Sequence, residues 1–126
     1  MAWFLGNIHK TQVMKTAAYI LLLLVSLPSF SQRIFSVDFE SRADFNVFVV
    51  DFESRADLLV FKEDFESRAT GNKGNWFFVN FESRADKKIF FVDFESRADL
   101  KIFFVKHRSR AGWRNNSKKH LLYKSS

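Results

Sequence analysis

Apolar and polar positions alternate in short blocks from residue 33 onward. Runs such as "VFVV", "LLVFK", "WFFV" and "KIFFV" are rich in β-branched and aromatic residues and are bounded by polar segments. That pattern predicts strands of about 4–6 residues. Seven are expected, at about 33–37, 46–50, 58–62, 75–80, 87–92, 100–106 and 120–124. Each run is too short for an amphipathic helix. Strand alternation places Phe48, Val50 and Phe52 on one face, and Phe90, Val92 and Phe94 repeat it. This Phe–Val–Phe stripe predicts the inner face, with Phe52, Phe65 and Phe94 in a shared interior. The opposite face carries Val49 in one unit and Lys62 in the next, so it is expected to be half exposed.

The blocks recur with a period of 13. "VDFESRADFNVFV" starts at Val37, "VDFESRADLLVFK" at Val50, "EDFESRAT" at Glu63, "VNFESRADKKIFF" at Val79, "VDFESRADLKIFF" at Val92, and a worn copy, "VKHRSRAGW", at Val105. The third unit is 16 residues long, because "GNKG" at 71–74 lies in a three-residue insertion. In the connector "ESRAD", Ser41 followed by Asp44 resembles a capping box over one tight turn, each satisfying backbone donors there. The turn is too short to use Glu40 and Arg42 on one helix face, so they are expected to pair with Arg and Glu of neighbouring units. Ala43 marks a site with little room. Near-identical units make near-identical contacts, so the repetition builds a quasi-symmetric structure. It argues against a unique asymmetric active site.

These residues resemble the 7(1) septoil knot family of small β proteins. The resemblance rests on the tandem "VDFESRADLKIFFV" units, the Gly-containing insertion before "NWFFV" and the closing "RAGWRNNSKKHLLY", and spans roughly 33–124. It implies a compact, mainly β, deeply knotted single domain whose chain circles the molecule about twice and threads between earlier strands. The family has no established activity to carry over. The periodicity taken alone predicts a small repeat-built β structure, either a β-solenoid or a closed ring of strands.

The N-terminal part reads differently. From Met14 the chain runs "MKTAAYILLLLVSLPSFSQ", with a basic start at Lys15, an apolar run of 11 residues from Ala17 to Leu27, and small residues before Gln32. That is the anatomy of a secretory signal peptide, with cleavage expected between Ser31 and Gln32. A spanning helix needs roughly 20 apolar residues. Residues 1–13 fit poorly in a signal, and translation is expected to begin at Met14. The organisation is then a leader over 1–31 and one repeat domain over 32–126, secreted or periplasmic. There is no cysteine, so a small exported domain of this kind has to rely on packing rather than disulfides.

Charge is unevenly placed. Residues 33–105 hold all 14 acids and 11 Lys or Arg, whereas 106–126 hold 7 Lys or Arg and no acid. Arg108, Arg110, Arg114, Lys118 and Lys119, interleaved with Trp113 and Tyr123, form a candidate anion-binding segment. The plainer alternative is a solvated turn and last strand with Trp113 buried, since Trp113 takes the unit position of Leu58 and Leu100. The "GNKG" loop, with Asn72, Lys73 and the following Asn75, is a candidate contact loop; it lacks the pattern of a phosphate loop. His107 takes the place of the repeat Phe, and His107 and His120 without a matching ligand set predict no zinc site. The repeated acids, Asp38, Asp51, Asp64 and Asp93 with Glu40, Glu53, Glu66, Glu82 and Glu95, lack the Gly-spaced loops of calcium sites.

The favoured reading is an exported monomeric module, structural or interacting, without catalysis, metal or cofactor. Its partner would be an envelope or extracellular component. The alternative is a binder of an anionic glycan, lipid or other polyanion through the basic C-terminal segment. A hydrolase using a carboxylate pair is the third reading.

Overall fold

The computed structural model describes residues 31–123. The leader, the Met14 start and His9 lie outside these residues. The strands are β1 (Arg33–Ser36), β2 (Phe45–Val49), β3 (Leu58–Lys62), β4 (Asn75–Phe78), β5 (Lys87–Phe91), β6 (Leu100–Phe104) and β7 (Gly112–Trp113). The first six fall where the apolar blocks predict them. The seventh does not: residues Asn116–Leu122 form a 3-10 helix, capped by Asn115 accepting from the Ser117 amide. β7 is instead a two-residue strand formed by the worn repeat.

The first six strands close into a ring in the order β4-β1-β5-β2-β6-β3, with β3 returning to β4. All six joins are parallel, and β7 alone runs antiparallel, against β3. The register is stepped. Phe45 of β2 pairs with Ile89 of β5, and Val47 of β2 pairs with Leu100 of β6. The same two-residue stagger recurs at every join, giving strongly tilted strands.

The order also shows the chain path. β1, β2 and β3 skip alternate places on the first circuit, and β5 and β6 fill gaps between them on the second. β4 alone sits beside its predecessor, so the step from β3 to β4 is where the circuit changes phase. The three-residue insertion lies in that step. Gly74 enters β4 with φ +87°, and a Cβ there would lie 2.3 Å from the Leu59 carbonyl oxygen. Only glycine suits that combination of left-handed backbone and close approach.

The alternation is confirmed, but its direction is reversed. Ile34, Val47, Val60, Trp76, Ile89 and Ile102 occupy equivalent places and are all fully buried. With Phe45, Leu58, Leu100 and Leu122 they make the interior of the ring. Phe48 and Val50 face outward, into a second cluster with Leu59, Phe61, Phe103, Val105, Ala56 and Ala111 beneath the connectors. Phe52, Phe65 and Phe94 are 60–66% exposed, not interior. A narrow, steeply tilted ring has room inside for few side chains from each strand. The connectors cover the outer side, so both faces of a strand are apolar and a stripe alone does not reveal which points in.

The connector chemistry also differs from a capping box. Each "ESR" is a single 3-10 turn whose N-cap is the repeat Phe, with no side-chain cap. The Asp reaches across to the next strand instead. Asp44 accepts from the Lys88 amide, Asp57 from Lys101, Asp86 from Arg33 and Asp99 from Asn46. Each Asp amide donates back to the carbonyl of the same residue. This two-bond clamp sets where each strand begins against its neighbour. Ser41 is exposed.

Candidate functional site

The Glu and Arg of the connectors do pair between units. Arg84 meets Glu66, Arg42 meets Glu82, Arg97 meets Glu40, Arg55 meets Glu95 and Arg110 meets Glu53. Followed in order, these pairs form a girdle around the barrel that tracks the order of the strands. Most of the side chains are substantially exposed, so each pair contributes about 0–1 kcal/mol. Glu40 is held below the usual glutamate range, first by the Asn46 amide at 2.6 Å and then by Arg97.

The girdle is interrupted once. The sixth connector reads Arg108–Arg110, with Arg108 where every other unit has Glu. Arg68, whose place in the series faces that connector, therefore meets no carboxylate among the described residues. Its guanidinium lies 5.4 Å from the Phe65 ring centre.

Arg108 turns instead to Glu63, which stands where the other units have Val. The contact is bidentate, with Nε and Nη2 of Arg108 both donating at 2.7 Å. Asn75 Nδ2 donates to the other side of the same carboxylate at 2.8 Å. The Glu63 side chain has no exposed surface. Burial alone would push its carboxyl up, yet the hydrogen bonds from Arg108 and then Asn75 hold it below the usual range. Arg108 is correspondingly raised by its bond to Glu63. Two departures from the repeat thus meet in space and explain each other. Elsewhere, burial pushes Asp86 up, but bonds from Arg33 and Ser31 outweigh it and leave the carboxyl lowered.

The candidate anion-binding residues are dispersed. Arg108 and Arg110 are paired with Glu63 and Glu53. Arg114 is exposed, and its backbone amide donates to the Asp57 carbonyl. Lys118 and Lys119 are half-buried in the 3-10 helix. In the contact loop, Asn72 accepts from Trp113 Nε1 through its backbone and side-chain oxygens, and donates to the Lys119 carbonyl. Asn75 is buried on Glu63, and only Lys73 is exposed. Trp113 is half-buried against the core rather than enclosed by it. The loop and the tail hold each other, an arrangement no local sequence signal announces.

A cleft of about 530 Å³ is lined by Asp57, Glu95, Asp99, Lys101, Asn115 and Lys118. Its carboxylates already accept hydrogen bonds: Asp57 from Lys101 and Asn115, Asp99 from Asn46, Glu95 from Arg55. Among the described residues no three His, Asp or Glu side chains gather as a metal set, and no helix is long and apolar enough to cross a membrane.

A family model described as the 7(1) septoil knot domain matches residues 31–114. The chain belongs to the 7(1) septoil knot domain family. No curated protein and no solved structure matches it. The septoil match ends at Arg114, just before the 3-10 helix. The loop and the three basic candidates Arg108, Arg110 and Arg114 lie within it, and Lys118 and Lys119 lie beyond.

One feature of this septoil domain is absent from the sequence-derived candidates. Phe39, Phe52, Phe65, Phe81 and Phe94, one per unit, are 60–67% exposed. Each N-caps its turn with nearly the same backbone angles. They follow the girdle around the barrel, each preceded by an exposed Asp or, before Phe81, Asn80. His107 takes the sixth place. The signal in the sequence is the recurrence of Phe two residues after the buried Val, or after Glu63 in the third unit.

Proposed function

We propose that the chain is an exported, non-catalytic interaction module whose contact surface is the belt of repeated Asp-Phe pairs. The observation that carries this reading is the exposure of five large aromatic side chains at equivalent places. Interfaces concentrate their binding energy in buried aromatic anchors. Repetition adds avidity, because several weak contacts engage together. The Asp beside most of these Phe side chains favours a partner protein with apolar pockets flanked by cations.

Changing Phe39, Phe52, Phe81 and Phe94 together to Ser tests this. Each is exposed, so stability should change by no more than about 0.5 kcal/mol per site. Capture of a partner from the host's envelope extract is expected with the native chain and lost with the variant. Equal recovery by both would overturn the reading.

Export rests on the leader "MKTAAYILLLLVSLPSFSQ". Cleavage after Ser31 would remove the Ser31 hydroxyl that donates to Asp86 at 2.6 Å. Gln32 nitrogen would still reach the Ala69 carbonyl, at 2.7 Å. Mass spectrometry of protein purified from its host is expected to find Gln32 first. A first residue in 1–13 would contradict both the leader and the Met14 start.

The polyanion reading keeps one supporting observation: Arg114 is exposed and has no carboxylate partner among the described residues.

A further inference from the structure

The break in the girdle leaves a specific chemical deficit. Five connector Arg side chains each meet a Glu from the adjacent connector, and the sixth, Arg68, faces the connector that carries Arg108 instead. A cleft of about 430 Å³ opens there, lined by Ser67, Arg68, Thr70, Lys73, Asn75 and Arg108. Three of these are cations and two are hydroxyls. Lys73 comes from the insertion found only in this unit, so two independent departures from the repeat bring positive charge to one spot.

The nearby acids do not cancel it. Glu63 lies within electrostatic reach of Arg68, but it is enclosed and its hydrogen bonds go to Arg108 Nε and Nη2 and to Asn75. Asp64 lies within electrostatic reach of Arg108. Arg68 and Lys73 are exposed and have no ion-pair partner among the described residues. Among the described residues Arg108 keeps Nη1 uncommitted, since its bonds to Glu63 use the other two nitrogens.

We propose that this cleft binds a carboxylate ligand, which takes the place of the missing sixth Glu between Arg68 and Arg108, with Lys73 closing over it. The guanidinium fork matches a planar carboxylate through paired hydrogen bonds. The other five joins of the girdle show that chemistry in the protein itself. The site shares Arg108 with the basic C-terminal segment and lies beside Phe65 of the belt, but its ligand is a small carboxylate rather than a partner protein, so it stands or falls independently of the interaction reading.

The test is an amide NMR titration of the full chain. The probes are sodium citrate, as a free organic acid, and sodium glucuronate, as a sugar acid, against sodium chloride at matched ionic strength. Saturable shifts are expected in 67–75 with one or both acids and not with chloride, and the stronger binder identifies the source. Arg68→Gln with Lys73→Gln, both at exposed positions, should weaken binding at least tenfold. Arg42→Gln, which breaks an ordinary pair, should leave it unchanged. Arg108→Glu with Glu63→Val restores the repeat residue at both places and should abolish binding, because the carboxylate is then built in. Shifts no different from chloride, or full affinity in the Arg68/Lys73 variant, would overturn the proposal. If the Arg108/Glu63 variant does not fold, the Arg68/Lys73 variant decides alone.

Discussion

Trp76→Ala is expected to cost about 3–5 kcal/mol, the range for removing a buried Trp. Trp76 is the largest fully buried side chain. It fills a place where the other strands have Ile or Val, and its ring meets Phe78 edge-on at 6.1 Å. A domain of this size has a total stability on the order of 5–14 kcal/mol, so a large share would be lost. Urea unfolding should show a lower midpoint with an unchanged slope. Trp76→Phe provides the internal check. The indole Nε1 is buried without a hydrogen-bond partner among the described residues, so Phe sheds an unsatisfied donor along with some volume. Its cost should stay under about 2 kcal/mol. Equal losses for Ala and Phe would mean that Nε1 is bonded and that packing is not the main term.

Arg108→Ala should lower the urea midpoint by more than any of the girdle Arg→Ala changes, because it leaves the enclosed Glu63 carboxylate with only Asn75 donating to it. Adding Glu63→Val should recover most of that loss and bring the chain within about 1 kcal/mol of the native protein. Buried ion pairs are often no better than the apolar residues that replace them, and Val is what the other units carry here. The pH dependence has a definite sign. The folded Glu63 carboxyl lies below its ordinary value of 4.5. Its contribution is therefore complete above that value and disappears as pH falls through the lower folded value. The native chain should lose stability in that acid window, and the Glu63→Val, Arg108→Ala pair should lose less. A single Arg108→Ala chain as stable as the native one would show that Glu63 finds water or another donor.

The 13-residue rhythm, the places of six strands and the pairing of Glu with Arg between units were all readable from residue order. Each depends on local alternation or on equivalent units making equivalent contacts, and identical neighbours constrain both. The family was likewise legible from the tandem units and the insertion, which lie within the matched residues 31–114, whereas most of the closing segment lies beyond them.

Three readings failed for one reason. They are the interior expected for Phe52, Phe65 and Phe94, the local cap expected from Ser41 and Asp44, and the strand expected at 120–124. In each case the answer depends on what lies across the ring. Asp44 is bonded to the Lys88 amide, 44 residues away, and no local pattern encodes that reach. The position of Arg68 is similar. "EDFESRAT" and "KHRSRAG" each showed an odd residue, Glu63 and Arg108, but not that the two odd residues touch or that a lone cation remains beside them.

Residue order suffices for the repeating unit, its strand segments and its charges, because these follow from side-chain chemistry and short-range periodicity. Which face points inward, which residues clamp which strand and where the girdle opens emerge only once the ring closes. Closing six strands with a stagger sets neighbours tens of residues apart, and burial is a property of those neighbours rather than of the residue.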